Sequence, residues 1–194
     1  MTKRLAIVLT DGYADWECGL LTATARHHCK ATTVVLTPGG ADVTSLGGLA
    51  VASAGRAEDA RPEDFDVLVL CGGTIWQSAA PPDLSAPVGR FLAAGKPVAG
   101  ICDATLALGR MGVLDTRAHT GNHADELPQI VPAYRGHAHY RDQPQAVCDQ
   151  GVITASGAAP VTFAREILIA IGLGSPELLD YLALYGNEHR PARG

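Results

Sequence analysis

Three stretches, "KRLAIVL" (3–9), "FDVLVLCGG" (65–73) and "KPVAGIC" (96–102), carry apolar runs that no polar residue interrupts. A strand with one wet face alternates apolar and polar residues; a strand buried on both faces does not. Each run therefore predicts a strand covered from both sides. What lies between them is helical in pattern. Residues 15–28 place apolar side chains at 16, 20, 21 and 25, a helical stripe that Asp11 or Asp15 is positioned to cap. Residues 84–95 end on a Gly95 stop, and 104–111 follow the third run directly. Two further helices are predicted at 160–173 and 175–186, the second with Ser175 and Pro176 in the N-cap and N1 places. "ATTVVLTPGG" (31–40) adds a strand, "DVTSLGGLAVAS" (42–53) a hairpin around Gly47-Gly48, and "AVCDQGVITASG" (146–157) two short β runs around a turn. Strands that alternate with helices predict a mostly parallel sheet with helices on both faces and right-handed connections. With 194 residues, 47% of them hydrophobic, the chain suffices for one domain spanning 1–194.

Composition excludes several functions. The net charge of −5 and the lack of basic runs argue against nucleic acid or an anionic membrane as partner. Only six apolar residues precede Thr10, too few for a signal peptide or a membrane span, so a cytoplasmic location is expected. The five cysteines, at 18, 29, 71, 102 and 148, are widely spaced and form no C-x-x-C pair, which argues against disulfides or a zinc ribbon. Neither a G-x-G-x-x-G nor a P-loop is present, so no organic cofactor is expected.

One cysteine stands apart. Cys102 occupies the joint where the third buried run turns into a helix, with Gly100 two residues before and Ala104 two after. Small-x-nucleophile-x-small is the pattern of a nucleophile elbow, a turn so tight that bulky neighbours at those positions would clash. The thiol would project from the helix start, where the dipole and free N–H groups favour a thiolate. The N–H of Asp103 and that of Gly73, after the neighbouring strand, are placed to hold an oxyanion. Glu17, at the same sheet edge, could reach the thiol and lower its pKa by donating a hydrogen bond.

With these residues placed, the chain resembles the ThiJ/PfpI superfamily, which is related to class I glutamine amidotransferases and includes the parkinsonism-associated deglycase. The resemblance runs from about 3 to 173 and rests on "AIVLTDGYADWE", "VLVLCGG", "GIC" and "GVITASGAAPVTFAREIL". It implies a flavodoxin-like three-layer sandwich, usually a homodimer, with Cys102 as reactive cysteine and Glu17 as its acid partner. Gly73 and Asp103 carry over as the oxyanion donors. Many members have a histidine in the loop after the elbow helix; here the nearest alignment puts Gly121 or Asn122 there, flanked by His119 and His123. These two histidines are the candidate bases. Asp103 also replaces the small residue or histidine that often follows the cysteine. A late His-x-Glu is missing, "NEHR" (187–190) having the wrong order, so glutamine hydrolysis is not expected.

His119, His123, His137 and His139 fall in the loop-rich stretch 116–145, a poor frame for a metal site. Trp16 and Trp76 follow the strand ends that carry Glu17 and Gly73, as pocket walls or core. Three functions remain open. The first is a cysteine-dependent enzyme acting on a small electrophile, glyoxalase-, deglycase- or amidase-like. The second is a stress protein whose Cys102 oxidises to sulfinate, and the third a binding module without activity.

Overall fold

The computed structural model describes residues 2–189, the last two by backbone alone, so the acid and histidine of "NEHR" lie outside the described side chains. The chain runs β1 (Arg4–Val8), α1 (Asp15–His27), β2 (Thr32–Leu36), β3 (Val43–Thr44), β4 (Ala50–Val51) and β5 (Val67–Leu70). It continues through α2 (Ser85–Ala93), β6 (Val98–Ile101), α3 (Ala104–Arg110) and α4 (Glu126–Ile130). β7 (Val147–Asp149), β8 (Val152–Ala155), α5 (Pro160–Ala170) and α6 (Pro176–Tyr185) complete it. Six strands form one sheet in the order β2-β1-β5-β6-β8-β7, parallel except for the β7 edge. This is the expected flavodoxin-like α/β sandwich.

The buried runs explain the layering. Successive side chains of a strand point to opposite faces. Leu5, Ile7, Val67, Val69, Ala99 and Ile101 enter one apolar layer with Leu21 of α1 and Phe163 and Ile167 of α5. Ala6, Val8, Leu68, Leu70 and Val98 enter the other, with Phe91 of α2 and Leu106 and Leu108 of α3. α6 docks Leu178 and Leu182 on the first layer and leaves Leu184 and Tyr185 exposed. Its N-cap forms as expected, Ser175 Oγ accepting from the Leu178 N–H at 3.3 Å.

Two local expectations are corrected. Neither Asp11 nor Asp15 caps α1, whose N-cap is Ala14 with no side-chain bond. Both carboxyls instead hold the β3–β4 hairpin, Asp11 accepting from Thr44 N–H and Asp15 from Gly47 N–H, each at 2.9 Å. Within 116–145, the short helix α4 forms where no helical pattern is legible; it spans five residues and buries only Leu127.

Register sets the position of the site. Val8 pairs with Leu70, Leu70 with Gly100, and Gly100 with Thr154. Four parallel strands thus end along one line, and the segments leaving them emerge at a common edge. The chain moves outward from β1 to β2, then returns to the other side of β1 at β5. The carboxyl edge at such a reversal is where open α/β sheets bind ligands.

Phe163 is fully buried between α5 and the sheet. Phe163→Ala is expected to lower the unfolding free energy by about 3–5 kcal/mol, read from urea denaturation with an unchanged m-value.

Candidate active site

The elbow begins with a backbone constraint. Cys102 has φ of +57°, in the left-handed region that a residue with a Cβ enters at a cost. Three contacts hold it there. Its N–H donates to Ala155 O at 2.9 Å, extending the β6–β8 ladder by one bond, and its carbonyl accepts from the Thr105 N–H at 3.0 Å and hydroxyl at 2.7 Å. Gly100 is small of necessity: a Cβ there would lie 2.8 Å from Leu108 Cδ1. The half-buried thiol therefore stands at the edge between β6 and α3.

Glu17 comes to it from α1 and is fully buried. Oε2 accepts the Gly72 N–H at 2.8 Å. Oε1 has no conventional hydrogen-bond partner and faces the Cys102 thiol. Two glycines make this approach possible. A Cβ on Gly72 would sit 2.2 Å from Glu17 Oε2 and 2.6 Å from Cys102 Cβ. One on Gly157, in the segment leaving β8, would sit 2.8 Å from Glu17 Oε1 and 2.9 Å from Cys102 Sγ.

A third group completes the surround. Asn122 Nδ2 donates to Cys102 Sγ at 3.3 Å and to Asp103 Oδ1 at 3.0 Å. Its Oδ1 accepts the Gly157 N–H at 3.0 Å, which fixes which way the amide points. Asp103 is buried, and its Oδ2 accepts from Gln77 Nε2 at 2.9 Å.

Burial without a countercharge governs the protons. It pushes the Glu17 carboxyl up to about 7, against lowering by its bonds to Cys102 and Gly72. It pushes the Cys102 thiol up to about 12; the Asn122 amide pulls it down while the acids Glu17 and Asp103 push it further up. This differs from the expected depressed thiol. The short α3 and one amide donor do not outweigh desolvation beside two carboxyls. In the resting site the thiol keeps its proton and Glu17 is the group that titrates near neutrality.

The structure brings Glu17, Asp103 and Cys102 together, with Gly73 at the end of the neighbouring strand. It does not bring His119 or His123 to them. His119 is fully buried, its Nδ1 2.7 Å from Arg117 O and its Nε2 2.7 Å from Tyr134 Oη. A carbonyl only accepts, so Nδ1 donates to it, and in the neutral ring Nε2 accepts the tyrosine proton. Burial also lowers the His119 pKa. With edge contacts to Tyr134 and Tyr140, it pins the loop rather than facing the thiol. His123 is exposed, and the hydrogen-bond partners of the Cys102 sulfur are Asp103 and Asn122 instead. Trp76 is core, its Nε1 donating to Cys71 O at 2.9 Å, whereas Trp16 is 56% exposed and donates to Gly157 O at 3.1 Å. No group of three or more His, Cys, Asp or Glu among the described residues is arranged to hold a metal.

Sequence reasoning missed Gly72, Gly157 and Gln77 and reached Asn122 only as one of two positions in an alignment. The signal was present for Gly72, as the first of two glycines closing a strand; Gly157 and Gln77 carry no local pattern.

A buried acid beneath a strained cysteine elbow is now joined by the match of residues 3–170 to the DJ-1/PfpI family profile. The chain belongs to the DJ-1/PfpI family. A DJ-1 superfamily protein of Agrobacterium tumefaciens superposes with a TM-score of 0.93 at 48% identity, covering 97% of this chain and 100% of that one. A ThiJ/PfpI family protein of Bacillus anthracis gives 0.85 at 32% identity, over 100% and 92% of the two chains. Among curated proteins, the Bacillus subtilis "uncharacterized protease" YoaZ is 32% identical over 185 residues, 92% of this chain and 88% of its own. Within this DJ-1/PfpI chain, none of the helices among the described residues is long and apolar enough to cross a membrane.

Linkage gives this site a cost in stability. The folded state holds the Glu17 proton up to about 7, the unfolded state only to the ordinary 4.5, so stability falls as pH rises between those values. The loss is about 3 kcal/mol. Glu17→Gln is expected to flatten this part of the stability–pH curve, measured by urea unfolding from pH 4 to about 8, and to be the more stable protein at the upper end.

Proposed function

We propose that the chain is a cysteine-dependent enzyme whose Cys102 sulfur adds to an electrophilic carbon of a small carbonyl or acyl compound. The observation that carries the reading is Glu17: a buried carboxyl with one oxygen tied to Gly72 and the other turned, unpartnered, to the thiol. A group titrating at about 7 is near its best as a base at neutral pH.

The chemistry follows from that placement. Glu17 Oε1 takes the thiol proton as the sulfur–carbon bond forms, so charge moves onto the substrate oxygen without a free thiolate ever standing in the site. The Gly73 and Asp103 N–H groups donate to the oxyanion. With an aldehyde, Glu17 returns its proton to that oxygen and leaves a hemithioacetal. With an amide, the proton goes to the departing nitrogen and leaves a thioester for water to open. The word protease in the name of the Bacillus subtilis relative fits the second course. No histidine is needed in either.

The rate of Cys102 alkylation by iodoacetamide across pH tests this, followed on the Cys102 peptide by mass spectrometry. The wild-type rate is expected to rise through pH about 7 with Glu17 ionisation. In Glu17→Gln that rise disappears and reactivity appears only on the alkaline side, where a buried thiol titrates unaided. Identical profiles in the two proteins, both rising only above the ordinary thiol value, would exclude the base role. Cys102→Ser is expected to cost at least about a hundredfold in turnover of small 2-oxoaldehydes or amides.

A further inference from the structure

The residue after the nucleophile has a side chain as well as a backbone N–H. Asp103 Oδ1 lies 3.8 Å from Cys102 Sγ. Both of its oxygens accept from side-chain amides, Oδ1 from Asn122 at 3.0 Å and Oδ2 from Gln77 at 2.9 Å. Burial pushes the Asp103 carboxyl up, and the bonds from Gln77, Cys102 and Asn122 pull it back toward the ionised form. The amides come from opposite sides, Gln77 from the turn after β5 and Asn122 from the loop after α3, and Asn122 is itself locked by Gly157. Asp103 is thus a carboxylate fixed beside the sulfur.

No basic group offsets it there. The charges acting on the thiol are Glu17 and Asp103, both acidic. Half-buried Glu126 of α4 adds a third carboxyl beside Asn122, with His123 as its one basic neighbour. Arg110, the cation at the end of α3, donates to the Trp76 carbonyl at 2.6 Å and makes no ion pair with Asp103 or Glu17. Meanwhile the fully buried Glu17 points an unpartnered oxygen into the same space.

We infer that Asp103 is the specificity-determining residue of this site: it admits electrophiles that present a cation or a hydrogen-bond donor beside the reacting carbon and rejects those with a carboxylate, sulfonate or phosphate there. This rests on the reading of Cys102 as the nucleophile and adds the substrate's charge to it. A negative group at that position would lose its hydration against a fixed like charge, with no protein cation to replace it.

Three reagents of near-equal size test the inference without any known substrate: aminoethyl, hydroxyethyl and sulfonatoethyl methanethiosulfonate. In each, the sulfur of Cys102 attacks the thiosulfonate sulfur, forms a mixed disulfide and expels methanesulfinate. Rates are read on the Cys102 peptide by mass spectrometry and divided by those of free mercaptoethanol. In the wild type the normalised cation-to-anion ratio is expected to exceed unity by about 30-fold, the size of a two-unit change in reagent charge at partly screened separations. Asp103→Asn should reduce that ratio by about tenfold while the neutral reagent still reacts. A wild-type ratio near unity, or one unchanged in Asp103→Asn, overturns the selectivity and leaves the nucleophile reading intact. A Cys102 inert to all three reagents, the neutral one included, overturns both. The wild-type ratio decides even if Asp103→Asn folds poorly.

Discussion

A single buried carboxyl governs how this site is built. Glu17 has no cation to pair with, so its charge is stabilised by the Gly72 N–H, the long Cys71 thiol contact and the contact with Cys102. Such a group keeps its proton longer than in water, and near neutrality it becomes a base that one thiol can use. The neighbouring features serve this contact. The turn at Cys102 brings the sulfur down to it, the flanking glycines clear the way, and Asn122 fixes the thiol from the other side. The energy for holding a strained residue and an uncompensated acid comes from the two apolar layers on either side of the sheet.

The layers were legible because they are repetitive. Uninterrupted apolar runs at 5–9, 67–71 and 98–101 announce strands covered on both faces, and the structure places all three in the middle of the sheet. The elbow was legible because steric demand at 100 and 104 leaves a mark in residue size. Glu17 was legible by position, since an acid in the first turn of the helix that follows a strand lies at the same sheet edge as the elbow.

Much of the remaining site was not legible, for a physical reason. Asn122 and Gln77 reach Cys102 and Asp103 across 20 and 26 residues of intervening chain, with no periodicity to signal either contact. The histidines misled because imidazole chemistry is equally at home in a structural role. Once the ring of His119 satisfies Arg117 O and Tyr134 Oη, nothing remains for a substrate. The depressed thiol expected at a helix start failed on magnitude: α3 has seven residues, and its dipole competes with burial and two carboxyls.

The walls at 72 and 157 have a consequence of a different kind. Because both are bare backbone, with room for no further atom, the distance between acid and sulfur is not adjustable by side-chain replacement. Proton chemistry in such a site is inherited as a fixed unit. Change in what the protein acts upon must be written elsewhere, in the side chains around the sulfur at 16, 103, 122 and 126, where exchange alters shape or charge but leaves the acid-to-sulfur spacing in place. The design separates the part that reacts from the part that chooses.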